Sequence, residues 1–142
     1  MIKNWRDLKG DWNNEPDRAE FEAHGFHCIA RRNPSCGHWC GYVGVTANHP
    51  YYGKYYGEID IDVHGGLTYS DHCNGEICHK AKEGEPDELY WLGFDCGHFD
   101  DLSPYQVAIP SLAFRLDGHY WTLEEVEEEC ISLAKQLLDK RG

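Results

Sequence analysis

Positive charge is scarce in this sequence, and long apolar runs are missing altogether. Thirteen Lys and Arg stand against 25 Asp and Glu, a formal charge of -12. That balance repels DNA, RNA and anionic lipid at long range, so neither a nucleic-acid surface nor membrane binding is expected. A local pocket for a small anion is compatible with it. No apolar stretch approaches the ~20 residues of a membrane span, and MIKNWRDLKGDWNNEP lacks the apolar centre of a signal peptide. The expected location is therefore cytoplasmic. A phosphate-binding P-loop, a dinucleotide-binding glycine pattern and a nucleophile elbow are also missing, which removes the commonest sequence routes to an enzyme assignment. Seven Cys is an odd number and excludes complete internal pairing. In a reducing cytosol each reads as a small buried hydrophobe.

What is abundant is rings: aromatics make up 13% of the chain, with five Trp and nine Tyr. Residues 1–142 read as a single domain, long enough to bury roughly 68–70% of the unfolded surface. Residues 1–20 form a polar lead-in, and FEAHGFH reads as extended chain or a short helical turn. FHCIAR (Phe26 to Arg31) and HWCGYVGVT (His38 to Thr46) look like an antiparallel pair joined through Asn33-Pro34. EIDIDVHG alternates strictly, which predicts a strand over 59–64 with Ile59, Ile61 and Val63 inward and Asp60, Asp62 and His64 outward. ELYWLGFDC is apolar on both sides and belongs in the middle of a sheet. From Thr122 the period becomes helical through Leu123, Val126, Cys130, Leu133, Ala134 and Leu137, with a Thr122–Glu125 capping box. The expected fold class is α+β: an antiparallel sheet of about five strands with an amphipathic helix over 122–140 on one face.

Three constellations carry polar chemistry. The first is His64-Gly65-Gly66 at the exit of the alternating run, where residues lacking Cβ let a ligand approach backbone N–H groups, or else form an ordinary turn. The second is GFDCGHFDD, which delivers Asp95, His98, Asp100 and Asp101 just beyond an apolar stretch. Carboxylates and imidazoles there are costly unless paired or bound to something. Either they converge with His64 on a divalent metal or an acid–base site, or Asp95 caps a turn and steadies His98. The third is the cysteines. Cys36, His38 and Cys40 on one strand would span about 13 Å, too far for one zinc ion, whereas the Asn74-Gly75 turn in HCNGEICH brings Cys73 and Cys78 together as a zinc knuckle or a disulfide. The ring-rich segment ANHPYYGKYYGE, with Tyr51, Tyr52, Tyr55 and Tyr56, either walls a pocket or packs over a sheet edge.

HWCGYV, HGGLTYS and WLGFDCGH together resemble words that recur in a group of small, mostly uncharacterised bacteriophage and prophage proteins: HWCGYV, HGGLT and GFDCAH followed shortly by Gly-Asp. The resemblance runs from Cys40 to Asp101, under half the chain, and His64, Gly65, Gly66, Thr68, Asp95, Cys96, His98 and Asp101 fall on those words. Gly97 stands where Ala is usual and Asp100 where Gly is usual. The resemblance implies a phage origin and, by analogy, a counter-defence role in which a homo-oligomer captures a nucleotide signal.

These strands of reasoning yield an expected function. A phage accessory protein would sequester a small anionic or nucleotide-like ligand, with His64, Gly65, Gly66, Thr68, Tyr51, Tyr52, Trp91, Asp95, His98 and Asp101 forming the site. The alternatives are a metal-dependent hydrolase using His64, Asp95 and His98 as catalytic groups around a divalent ion, and an acidic inhibitor of a host protein. The first two place His64, Asp95 and His98 in one pocket roofed by residues 51–56.

Overall fold

The computed structural model describes residues 11–34, 36–74, 77–78, 89–97, 101–105 and 119–140. His98 and Asp100 lie outside them. The chain enters through a 3-10 turn, Asp11–Asn14, and forms β1 (Arg18–Ala23), which pairs antiparallel with β2 (Phe26–Arg32). Their connection is the two-residue turn His24-Gly25, with φ of 51° and 85°. Two consecutive positive φ values match the twist of paired strands, so FEAHGFH is a hairpin and not a helical turn. The polar lead-in accordingly ends before Arg18: β1 is an edge strand whose alternating Glu20 and Glu22 face water.

β2 pairs with β3 (Trp39–Val45), β3 with β5 (Tyr90–Asp95), and β5 with the short β4 (Tyr69–Asp71), all antiparallel. The sheet order is β1-β2-β3-β5-β4, which puts the doubly apolar YWLGFD in the interior, as its composition requires. The helix α1 (Leu123–Lys140) packs across β1, β2 and β3 through Val126, Cys130, Leu133, Ala134 and Leu137. Its capping box forms as the sequence predicts: Glu125 N–H donates to Thr122 Oγ1 at 3.2 Å and Thr122 N–H to Glu125 Oε1 at 3.0 Å. The fold is therefore α+β, a five-stranded antiparallel sheet with a C-terminal helix on one face. No helix among the described residues is long and apolar enough to cross a membrane.

Strand alternation separates two apolar layers. The helix side collects Cys28, Ala30, Trp39, Val43, Val45, Leu92, Phe94 and Cys96; the opposite side collects Ile29, Tyr42, Leu89 and Trp91 with Ile77. Gly41 is what lets the helix approach, because a Cβ there would stand 2.4 Å from the Phe94 ring and 2.7 Å from Cys130 Sγ. Trp91, expected to stack on a ligand, is instead fully buried in the second layer. The Tyr51–Tyr56 segment packs against the structure as well. Tyr52 and His72 meet Tyr90 edge-on or tilted, and the Tyr90 hydroxyl donates to Lys54 O at 2.6 Å. His49 pins the base of this loop. Its Nδ1 accepts the Tyr51 N–H at 3.0 Å, which leaves Nε2 to donate to Leu137 O at 2.8 Å.

Two expectations change. Residues 59–63 keep the predicted facing, with Ile59, Ile61 and Val63 against the core and Asp60 and Asp62 exposed, yet they join no sheet. The Gln136 side chain takes the place of a neighbouring strand: Asp62 N–H donates to Gln136 Oε1 at 2.9 Å and Gln136 Nε2 donates to Asp62 O at 2.7 Å. Period-2 burial thus arises from docking on a helix. Cys73 and Cys78 form a disulfide with Cα atoms 4.6 Å apart, closed over an Asn74–Ile77 bridge, so of the two expected arrangements the zinc knuckle is not adopted.

Candidate functional site

The HGG stretch closes a tight turn. Gly66 N–H donates to Val63 O at 2.8 Å, and Gly65 and Gly66 take φ of 69° and 80°. In that region a side chain meets the preceding or following carbonyl, which is why glycine stands at both positions. The turn projects His64 toward Asp101. His64 Nε2 lies 2.8 Å from both Asp101 oxygens, and the imidazole N–H donates to that carboxylate. Asp101 is only 3% exposed, while the His64 side chain is 25% exposed. A carboxylate this deep is costly unless hydrogen-bonded, so the pair explains why the two residues sit where they do.

A third segment completes the cluster. Asp101 bridges to His119, with Leu102 N–H donating to His119 O at 2.8 Å. Trp121, two residues on, lays its half-buried ring against His64 with centroids 4.3 Å apart and planes 34° from parallel. His119 Nε2 reaches the Glu125 carboxylate at 2.7 Å. For Glu125, burial pushes the pKa up, but hydrogen bonds from Thr122 and His119 outweigh it and hold the carboxyl below the usual range. Glu129 moves the other way. Burial raises it, His64 opposes that, and Asp62 adds to the rise. An imidazole steadied by a buried carboxylate, flat against an indole and open on one side, can orient a hydrogen-bonding ligand or relay a proton.

The remaining expected residues are distributed elsewhere. Thr68 is exposed and extends the β4 pairing, its N–H donating to Gly93 O at 2.9 Å. Tyr51 and Tyr52 are half-buried against the core. Asp95 stands directly across from Cys40 in the β3·β5 ladder and 3.6 Å from His38 Nε2. The sequence separates the two groupings that the fold makes. His64 with Asp101 and Trp121 is one, on the helix side where Val63 and Trp121 pack; His38 with Cys40 and Asp95 is the other, on the side where Cys40 packs. Trp121, His119 and Glu129 escaped sequence reading because none falls in a motif.

One consequence concerns the turn. A Cβ on Gly66 would meet nothing within 4 Å, so only its φ of 80° resists substitution. Gly66→Ala should cost about 1–2 kcal/mol in urea denaturation, and Gly66→Asn should recover part of it because Asn tolerates this region. Equal stability of wild type and Gly66→Ala would contradict the turn.

Compared with protein-family models, curated proteins and solved structures, the chain matches none of them.

Proposed function

We propose that this chain is a phage accessory protein that binds and sequesters a small nucleotide-like ligand in the cytoplasm, at the surface formed by His64 and Trp121 over the buried Asp101. The observation that carries this reading is the partly exposed His64 imidazole held by a buried carboxylate while its face lies on an indole. Such an imidazole has a fixed orientation, so a ligand gains a hydrogen bond without the entropy loss of ordering the side chain. The half-buried indole adds an apolar wall beside it, the usual company of an oriented polar group in a ligand site.

The electrostatics refine which part of a nucleotide docks here. Asp62 and Glu129 act on this cluster alongside Asp101 and Glu125, and the chain as a whole carries -12. A bare phosphate meets repulsion at this spot, whereas a base edge or ribose hydroxyl offers donors both to the carboxylates and to imidazole Nδ1, which accepts when the Nε2–H is given to Asp101. The ligand therefore docks by its base and ribose, with phosphate directed away. Hydrolysis is the second reading, favoured by the same His64–Asp101 geometry because a carboxylate-oriented imidazole suits general acid–base work.

Native mass spectrometry of protein purified from its host cell tests the proposal. Wild type should carry a retained small molecule of nucleotide mass, and Trp121→Leu should lose it. Bare wild-type chain that also fails to take up any added nucleoside or nucleotide would refute the binding reading; consumption of added ligand, with product released, would favour hydrolysis.

A further inference from the structure

On the opposite side of the sheet from the His64 cluster, three side chains of different chemistry meet. Cys40 of β3 and Asp95 of β5 are Cα partners in an antiparallel pair, so their side chains leave the same face at neighbouring points. His38 precedes Cys40 by two residues and shares that face as the chain enters β3. Its ring lies over Gly97, where an added Cβ would come within 2.9 Å of three ring atoms. Gly97 also donates its N–H to Asp95 Oδ1. That bond fixes the carboxylate, whose Oδ2 stands 3.6 Å from His38 Nε2. One ligand atom from each of His38, Cys40 and Asp95 lies within 4.8 Å of the other two. His38 itself is only 9% exposed, and its buried Nδ1 has no hydrogen-bond partner.

We infer that His38, Cys40 and Asp95 form a binding site for a borderline-soft divalent cation, zinc above all. The donor set is one imidazole nitrogen, one sulfur and one carboxylate oxygen. Sulfur disfavours magnesium and calcium, and a mixed N/S/O set suits a tetrahedral ion. Bonds of ~2.0–2.3 Å need ligand atoms roughly 3.3–3.8 Å apart, so rotation of these side chains by less than an ångström or so closes the site. Three protein ligands leave the fourth position of a tetrahedron for water or an outside ligand. The surroundings supply an outer partner, the Gly97 N–H on the carboxylate. Such partners orient ligands and tune the ion. Cys36 and Cys40 are too far apart along the chain to share one ion; the third ligand comes instead from across the ladder.

Cobalt(II) titration of chelator-treated protein tests the site, carried out in a Cys73→Ser/Cys78→Ser background so that the disulfide thiols cannot contribute. One equivalent should bind with the intense visible absorption of a tetrahedral ion and a near-ultraviolet sulfur-to-cobalt charge-transfer band, both erased by zinc. Cys40→Ser should abolish the charge-transfer band, and His38→Gln should weaken binding by at least about 100-fold, more than the loss of an outer partner costs. Gly97→Ala keeps every ligand but crowds the imidazole, and should weaken binding by about 10-fold or more. Cys36→Ser should change nothing. A weak octahedral cobalt spectrum, or a charge-transfer band that survives in folded Cys40→Ser, would overturn the assignment. If Cys40→Ser does not fold, unchanged cobalt affinity in both His38→Gln and Gly97→Ala would overturn it equally.

Discussion

Arg32→Ala should lower stability by about 3–5 kcal/mol, the largest single-residue loss expected in this protein. Arg32 is 3% exposed at the end of β2, and its guanidinium joins three segments at once. Nη1 donates to Gly37 O at 2.6 Å and to the Tyr120 hydroxyl at 3.1 Å. Nη2 reaches Trp12 O at 3.4 Å and Glu15 Oε1 at 3.3 Å, and the group lies 4.6 Å above the Trp39 ring. Glu15 is the partner that makes truncation costly. It also receives the Tyr120 hydroxyl, the Leu123 N–H at the start of α1 and, at 3.4 Å, Trp39 Nε1. Removing the cation leaves that enclosed carboxylate held by neutral donors alone, without the Arg32 charge. Arg32→Lys should rescue little, since a point charge cannot supply the planar fork. The double variant Arg32→Met/Glu15→Leu should be more stable than Arg32→Ala, because it removes both charges together. Urea denaturation of the four proteins checks this; a loss below about 1 kcal/mol for Arg32→Ala would show that the knot is solvated.

Asp101→Ala should weaken ligand binding by about 10- to 150-fold, the equivalent of the ~1.5–3 kcal/mol carried by a hydrogen bond to a charged group. Asp101 is a positioning residue in this account: it holds His64 and is itself too buried to serve as the docking surface. Asp101→Asn keeps the shape and one acceptor oxygen, so it should lose less affinity than Asp101→Ala. A purely structural role would instead lower the stability of both variants while leaving the affinity of the folded protein in place. Calorimetric titration beside denaturation curves separates the two.

Much of the architecture is legible in the chain because three segments have unambiguous periods. FHCIARR and WCGYVGV alternate or run apolar between turn residues, and the last helix repeats Val126, Cys130, Leu133 and Leu137 along one face. β1 is hidden for a physical reason: an edge strand with Glu20 and Glu22 on its wet face has too little apolar content to declare itself. EIDIDV misleads in a more instructive way. Alternation reports which side chains face the core, and it does not say whether the backbone bonds to a strand or, as here, to Gln136 of a helix. Trp91 shows the limit of reading rings as binding groups, since a fully buried interior strand uses the same residues.

The site is half legible. HGG and Asp101 stand out as motifs, but their partnership spans 37 residues and depends on how two loops meet. No local rule predicts that. Trp121 and Glu129 come from the approach to α1 and its first turns, where the pattern reads only as helix. Likewise Asp95 was legible as a polar group at a strand end, whereas its neighbours His38 and Cys40 follow from the β3·β5 register alone. His64 and Asp95 read as one site in the sequence; the fold sets His64 against Asp101 and Trp121, and Asp95 beside His38 and Cys40.

The central claim is that the His64–Asp101–Trp121 surface takes a nucleotide-like ligand, and a thermal-denaturation screen of wild type and Trp121→Leu against a panel of nucleosides, mononucleotides and cyclic nucleotides tests it most directly. At a ligand concentration ~100 times its Kd, binding to the native state adds about 2.7 kcal/mol. The account predicts a Tm rise matching that added stability in wild type for at least one compound bearing a base and ribose, and none in Trp121→Leu. No rise with any compound, or an equal rise in the variant, would contradict it.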